Sequence, residues 1–196
     1  MPLLAAVQNA VFLSLPAVIY ALSMARKGRP AADIVDRLGL VRGMLRPWRI
    51  ALAACLPLGS AGAAASVRTK TFAGSALAGF VGASPTASVI VSATAYGVVA
   101  PGFPEELLFR GLIAGALFRR SSFWRANFLQ ASIFVLPHLL ILLVAPRLWP
   151  LVIFLPLAFG VFAGWLRHSS GSMFPGALVH AVTNIACGLA VLRWHG

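Results

Sequence analysis

In Glu105-Glu106-Leu107-Leu108-Phe109-Arg110 two adjacent carboxylates and a guanidinium stand in one apolar segment. Glu106 and Arg110 are four residues apart, so on a helix they share a face with the acid on the N-terminal side, the favourable orientation for an ion pair. Glu105 points about 100° away and has no local counter-charge, which leaves its carboxylate free to act as a general base. Two more segments add imidazoles. His138 follows Pro137, whose missing N–H leaves a carbonyl unpaired one turn earlier, so a kinked helix presenting one ring is expected. His180 and Asn184 share a helix face at i, i+4 and together can donate hydrogen bonds to a developing oxyanion. A free carboxylate, two imidazoles and an amide are the parts of an acyl-transfer site. The same groups suit a proton relay in a proton-coupled transporter, which is the alternative reading. Glu105, His138 and His180 are also a donor set that zinc accepts.

Each residue also has a plainer reading. Glu106 with Arg110 is best taken as a supporting ion pair that lets a polar helix pack. Asn184 alone is a common interhelical hydrogen-bonding residue, and Phe134 is packing support for the helix that carries His138. His168 and His195 stand at span ends, where an interfacial role fits better than catalysis.

The elements that must position these groups are membrane helices. The chain has 196 residues, 60% hydrophobic and only 10% charged, with a mean hydropathy of +0.89, far from soluble averages. Stretches 3–24, 126–144, 149–166 and 173–192 each approach the roughly 20 apolar residues that a crossing helix needs. Residues 50–66 are alanine-rich and shorter, and 72–103 is a long small-residue stretch interrupted by Pro85. Pro101-Gly102-Phe103-Pro104 reads as a break before a proline-started helix over 104–118. The expectation is an all-α polytopic bundle of about seven or eight helices. It forms one membrane domain over 1–196, with N-terminal spans in 1–100 and the chemistry in 101–192.

The formal charge of +12 does not indicate nucleic-acid binding, because the arginines gather in short connectors, 25–49 and 119–125. That is the positive-inside pattern and places both connectors in the cytoplasm. An odd number of crossings within 72–118 is then required, and three would give eight in all. Abundant arginine and alanine agree with a bacterial inner-membrane protein. The first apolar run lacks a preceding basic region and is expected to be a retained span. Cys55 and Cys187 form neither a disulfide framework nor a metal pattern.

At its three polar segments the chain resembles the CAAX-protease and bacteriocin-processing (CPBP) family of glutamic-type intramembrane endopeptidases. That family carries a Glu-Glu-x-x-x-Arg helix, a Phe-x-x-x-His helix and a His-x-x-x-Asn helix, in that order. Here they are Glu105, Glu106 and Arg110, then Phe134 and His138, then His180 and Asn184. The turn 167–174 also resembles the polar Gly-Ser turn that commonly precedes the last motif. The resemblance covers about 101–190. It implies that Glu105 and His138 activate water, that His180 and Asn184 bind the oxyanion, and that Glu106 and Arg110 orient them. It further implies a membrane-associated protein or peptide substrate, possibly cut near its C-terminal tail, and no metal or other cofactor.

Other intramembrane protease types fit less well. His-Glu-x-x-His is absent, Asp33 and Asp36 share one basic loop, and Ser170 with His180 is the nearest serine-type arrangement. Measured from the loop 119–125, Glu105 and His138 lie about 20 Å along their helices, whereas His180 lies about 10 Å beyond the polar turn. One shared cavity requires that difference to be absorbed by the fold.

Overall fold

The computed structural model describes residues 2–69 and 79–192. Lys70, His195 and the opening of the 72–103 stretch lie outside the described residues. Within them the chain is all-α, in seven helices: α1 (Pro2–Arg26), α2 (Ala31–Arg37), α3 (Leu45–Thr69), α4 (87–118), α5 (Phe123–His138), α6 (Trp149–Ser170) and α7 (Phe174–Val191). Two 3-10 turns, Leu139–Leu143 and Pro146–Leu148, join α5 to α6. Five helices, α1, α3, α5 with its extension, α6 and α7, are long and apolar enough to cross a membrane. The protein is an integral membrane protein.

The expected break at Pro101–Pro104 does not occur. A π-helical turn, Val98–Gly102, carries the Phe103 N–H to the Val98 carbonyl five residues back, and a second π stretch runs over Leu107–Ala114. The wider turn accommodates prolines that cannot donate to an ordinary ladder. Helix α4 is therefore one continuous run about 48 Å long, long enough for a single crossing. One continuous helix over 87–118 leaves room there for one crossing rather than three.

Directions follow from side-chain neighbours. Ala51 packs with Val179, Gly59 faces Val182 and Ala186, and Gly62 faces Thr183 and Cys187, so α3 runs parallel to α7. Gly97 faces Ile185 and Gly102 faces Ala181, so α4 runs antiparallel to it. The connector after α1, the end of α4 and the α6–α7 turn then share one end of the bundle, here the basic face. Hydrogen bonds stitch that end together. Met44 N–H donates to the Ser170 carbonyl and Met173 N–H to the Gly39 carbonyl, each at 2.9 Å. The turn itself needs Gly171, whose φ is +75°. Ser170 Oγ donates within it and accepts the Ser172 N–H at 2.9 Å. That hydroxyl is committed to the turn, which removes the serine-type arrangement with His180.

Lipid supplies no hydrophobic drive between helices, so polar bonds and small residues hold them. Gln130 Nε2 donates to the Gly160 carbonyl at 2.7 Å, and Asn127 Nδ2 to the Val161 carbonyl at 3.0 Å. Gly160 seats Ala131, and Gly164 leaves room for the two amides. Gly164→Leu, which fills that space, should cost about 1–3 kcal/mol of stability by overpacking. Thermal unfolding of the purified protein in detergent reads this, and an unchanged melting temperature would contradict such close α5–α6 packing.

Candidate active site

Helix α4 brings its carboxylates to α7 because Gly97 and Gly102 carry no side chain at the crossing. A Cβ on Gly102 would stand 3.1 Å from the Ala181 Cβ, and one on Gly97 2.6 Å from Ile185 Cγ1. On α7 itself, Gly176 makes the space for Glu106, since a Cβ there would lie 2.9 Å from Glu106 Oε2. Close backbone approach thus sets the distance at which α4 acids meet α7 polar groups.

The expected ion pair is present. Arg110 Nη1 lies 2.9 Å from Glu106 Oε1, and both side chains are wholly buried. The Arg110 guanidinium sits 4.1 Å from the Phe134 ring centroid and 5.2 Å from that of Phe159, a cation–π contact worth about 2 kcal/mol when desolvated. The second partner of Glu106 was not foreseen: His180 Nδ1 donates to the same Oε1 at 3.0 Å. Opposite it, His180 Nε2 lies 3.9 Å from Glu105 Oε2, with the Glu105 side chain 19% exposed. The imidazole therefore bridges the two acids, one deeply buried and one partly open.

His138 is oriented by its own helix. Its Nδ1 donates to the Phe134 carbonyl at 2.9 Å. A carbonyl only accepts, so Nδ1 carries a proton and, in the neutral ring, Nε2 keeps its lone pair. The Phe134 ring links the site, with centroids 4.9 Å from His138, 6.0 Å from His180 and 4.9 Å from Phe109. Phe134 is 1% exposed and carries Arg110 on its face. Phe159 packs against His180 at a tilted angle, with centroids 4.8 Å apart, a contact no spacing rule announces. Asn184 Nδ2, one turn beyond His180, is buried with no hydrogen-bond partner, as are Thr183 Oγ1 and Glu106 Oε2. Among the described residues no three His, Cys, Asp or Glu side chains are grouped so as to hold a metal ion.

The depth mismatch also resolves. A Cβ at Gly111 would lie 2.9 Å from the Leu38 carbonyl and 3.6 Å from Met173 Sδ, so Gly111, not the 119–125 loop, is level with the start of α7. Counted from there, Glu106 and His180 lie about 8 Å and about 10 Å along their helices. The last turns of α4 run on beside α2. Arg167, unremarked in the sequence, secures this arrangement: its Nε donates to the Arg110 carbonyl at 3.2 Å, and its Nη2 to the Asp36 and Arg37 carbonyls at 3.3 and 3.2 Å. His168 is exposed and lies between the tilted rings of Phe118 and Phe123, with centroids at 5.0 and 4.7 Å, away from this cluster.

Because removing one partner of a buried pair strands the other charge, Arg110→Met should cost about 3–5 kcal/mol. Adding Glu106→Gln should recover much of that stability without recovering activity. Denaturation of the single and double variants measures both, and an Arg110→Met protein as stable as wild type would contradict the buried pair.

The description "Type II CAAX prenyl endopeptidase Rce1-like" matches residues 86–186, more than half of the chain and all three polar segments. No curated protein and no solved structure matches. Buried acids, two oriented imidazoles and a membrane-spanning helical frame agree with that match: the chain belongs to the Rce1-like family of type II CAAX prenyl endopeptidases, intramembrane proteases.

Proposed function

We propose that the protein is a glutamic-type intramembrane endopeptidase that hydrolyses a peptide bond of a membrane-associated protein or peptide without a metal. The observation that carries this reading is the His180 bridge. A buried Glu106 holds Nδ1, which turns Nε2 toward Glu105, a carboxylate with no arginine or lysine within salt-bridge distance among the described residues.

In this reading Glu105 takes a proton from a water, His138 accepts a hydrogen bond from that water through its Nε2 lone pair, and the resulting hydroxide attacks the scissile carbonyl. The carbonyl oxygen becomes an oxyanion bound by His180 and Asn184. With Nδ1 already given to Glu106, donation from His180 Nε2 requires the doubly protonated ring. Collapse of the intermediate breaks the C–N bond, and the proton on Glu105 passes to the leaving amine. The Asn184 N–H, buried without a hydrogen-bond partner one turn beyond His180, supports the oxyanion role, since an unpaired buried donor is costly and an oxyanion would satisfy it. Glu106 and Arg110 act through His180 as positioning residues. The inner membrane of a bacterium and cleavage near a C-terminal tail complete the proposal.

Purified protein and a membrane-extracted substrate, followed by mass spectrometry of the cut products, test it. Glu105→Gln and His138→Ala should each reduce cleavage at least about 100-fold, and Asn184→Ala by about 100- to 1,000-fold, with unchanged melting temperature. A chelator such as 1,10-phenanthroline should leave the rate unchanged. Wild-type rates in Glu105→Gln, or chelator inhibition reversed by zinc, would overturn the assignment. Substrate-driven proton flux with no proteolysis would favour the transporter reading.

A further inference from the structure

A cavity of about 210 Å³ opens on the basic face, remote from the His180 bridge. Its walls include Arg37, Arg119, Arg167, His168 and Gly115, with Asp36 as the one carboxylate. Arg37 is already served, its Nε lying 2.9 Å from each Asp33 carboxylate oxygen. Arg119 and Arg167 are not. Arg119 Nη1 donates to the Arg37 carbonyl at 3.4 Å, and Arg167 donates only to carbonyls; neither has a carboxylate within salt-bridge distance among the described residues. Yet the two come together. A Cβ on Gly115 would stand 3.4 Å from Arg119 Nη1 and 3.6 Å from Arg167 Nη2, so both guanidinium groups approach one point, and Asp36 in the same wall forms no ion pair with either.

Two like charges so placed are stabilised by an anion, and guanidinium groups match the oxygens of a phosphate in pairs. The depth of the cavity names the source. Phe118 and His168 line it, Phe123 lies against His168 with ring centroids 4.7 Å apart, and the adjacent Trp124 is 73% exposed on the outside of the bundle, where tryptophan marks the headgroup level of a bilayer. Arg120 and Arg125 flank the same loop. A basic pocket between helices at that level is suited to a lipid headgroup.

We propose that this cavity binds the phosphate of an anionic phospholipid headgroup. Because Arg167 also holds the Arg110 carbonyl and the end of α2, a bound phosphate ties α2, α4 and α6 together and steadies the helix that carries Glu105 and Glu106.

The test uses the full-length protein in uncharged detergent, titrated with phosphatidylglycerol, with phosphatidylcholine or with inorganic phosphate, and read by thermal unfolding. Phosphatidylglycerol in large excess should raise the melting temperature by about 5 °C, phosphatidylcholine should not, and Arg119→Gln should at least halve the rise. Arg46→Gln, which removes an exposed charge from the same face, should keep it. An undiminished rise in Arg119→Gln, or no rise with phosphatidylglycerol, overturns the proposal. A rise with inorganic phosphate alone would also overturn it, assigning the cavity to a soluble anion.

Discussion

A carboxylate with no exposure to solvent, Glu106, held between Arg110 and His180, is the interaction on which the rest of the structure depends. An isolated charge at that depth costs roughly 2.5–3.5 kcal/mol on insertion scales, so neither Glu106 nor Arg110 persists there without the other. Once paired, Glu106 fixes the His180 ring through the same Oε1, while its Oε2 has no hydrogen-bond partner. A local i, i+4 salt bridge thereby becomes a device for aiming an imidazole on another helix.

That device works only if three helices approach within side-chain reach. Glycines at 97, 102 and 176 permit the α4–α7 approach, and the π-helical turn Val98–Gly102 keeps α4 continuous through two prolines. Phe134 and Phe159 close the cluster with apolar faces that favour the cation and the ring without adding charge. On the basic face Arg167 fastens the other end of α4, so one helix is held both by small residues and by a cation. Placement of the acids follows from backbone proximity more than from any single strong bond.

The extent to which this was legible in the sequence follows from range. The Glu106–Arg110 pair and the His180–Asn184 face are local, and helical periodicity reveals them directly. The order of three polar segments on separate apolar stretches pointed to the family, and the family match agrees. The Glu106–His180 bond spans 74 residues, and no periodicity rule reaches that far. Pro101 and Pro104 suggested a broken helix because ordinary α geometry cannot absorb them, whereas a π turn can. Arg167 was given no role of its own, since its carbonyl partners belong to distant segments. Asn127 and Gln130 passed without notice for the same reason.

The link from Glu106 through His180 is most directly tested by single-turnover cleavage rates of Glu106→Gln, His180→Ala and the double variant, each corrected for its folded fraction. If Glu106 acts through His180, its removal matters little once His180 is gone, and the double variant is no slower than His180→Ala. Losses that multiply in the double variant would show that Glu106 contributes independently of His180 and would contradict the account.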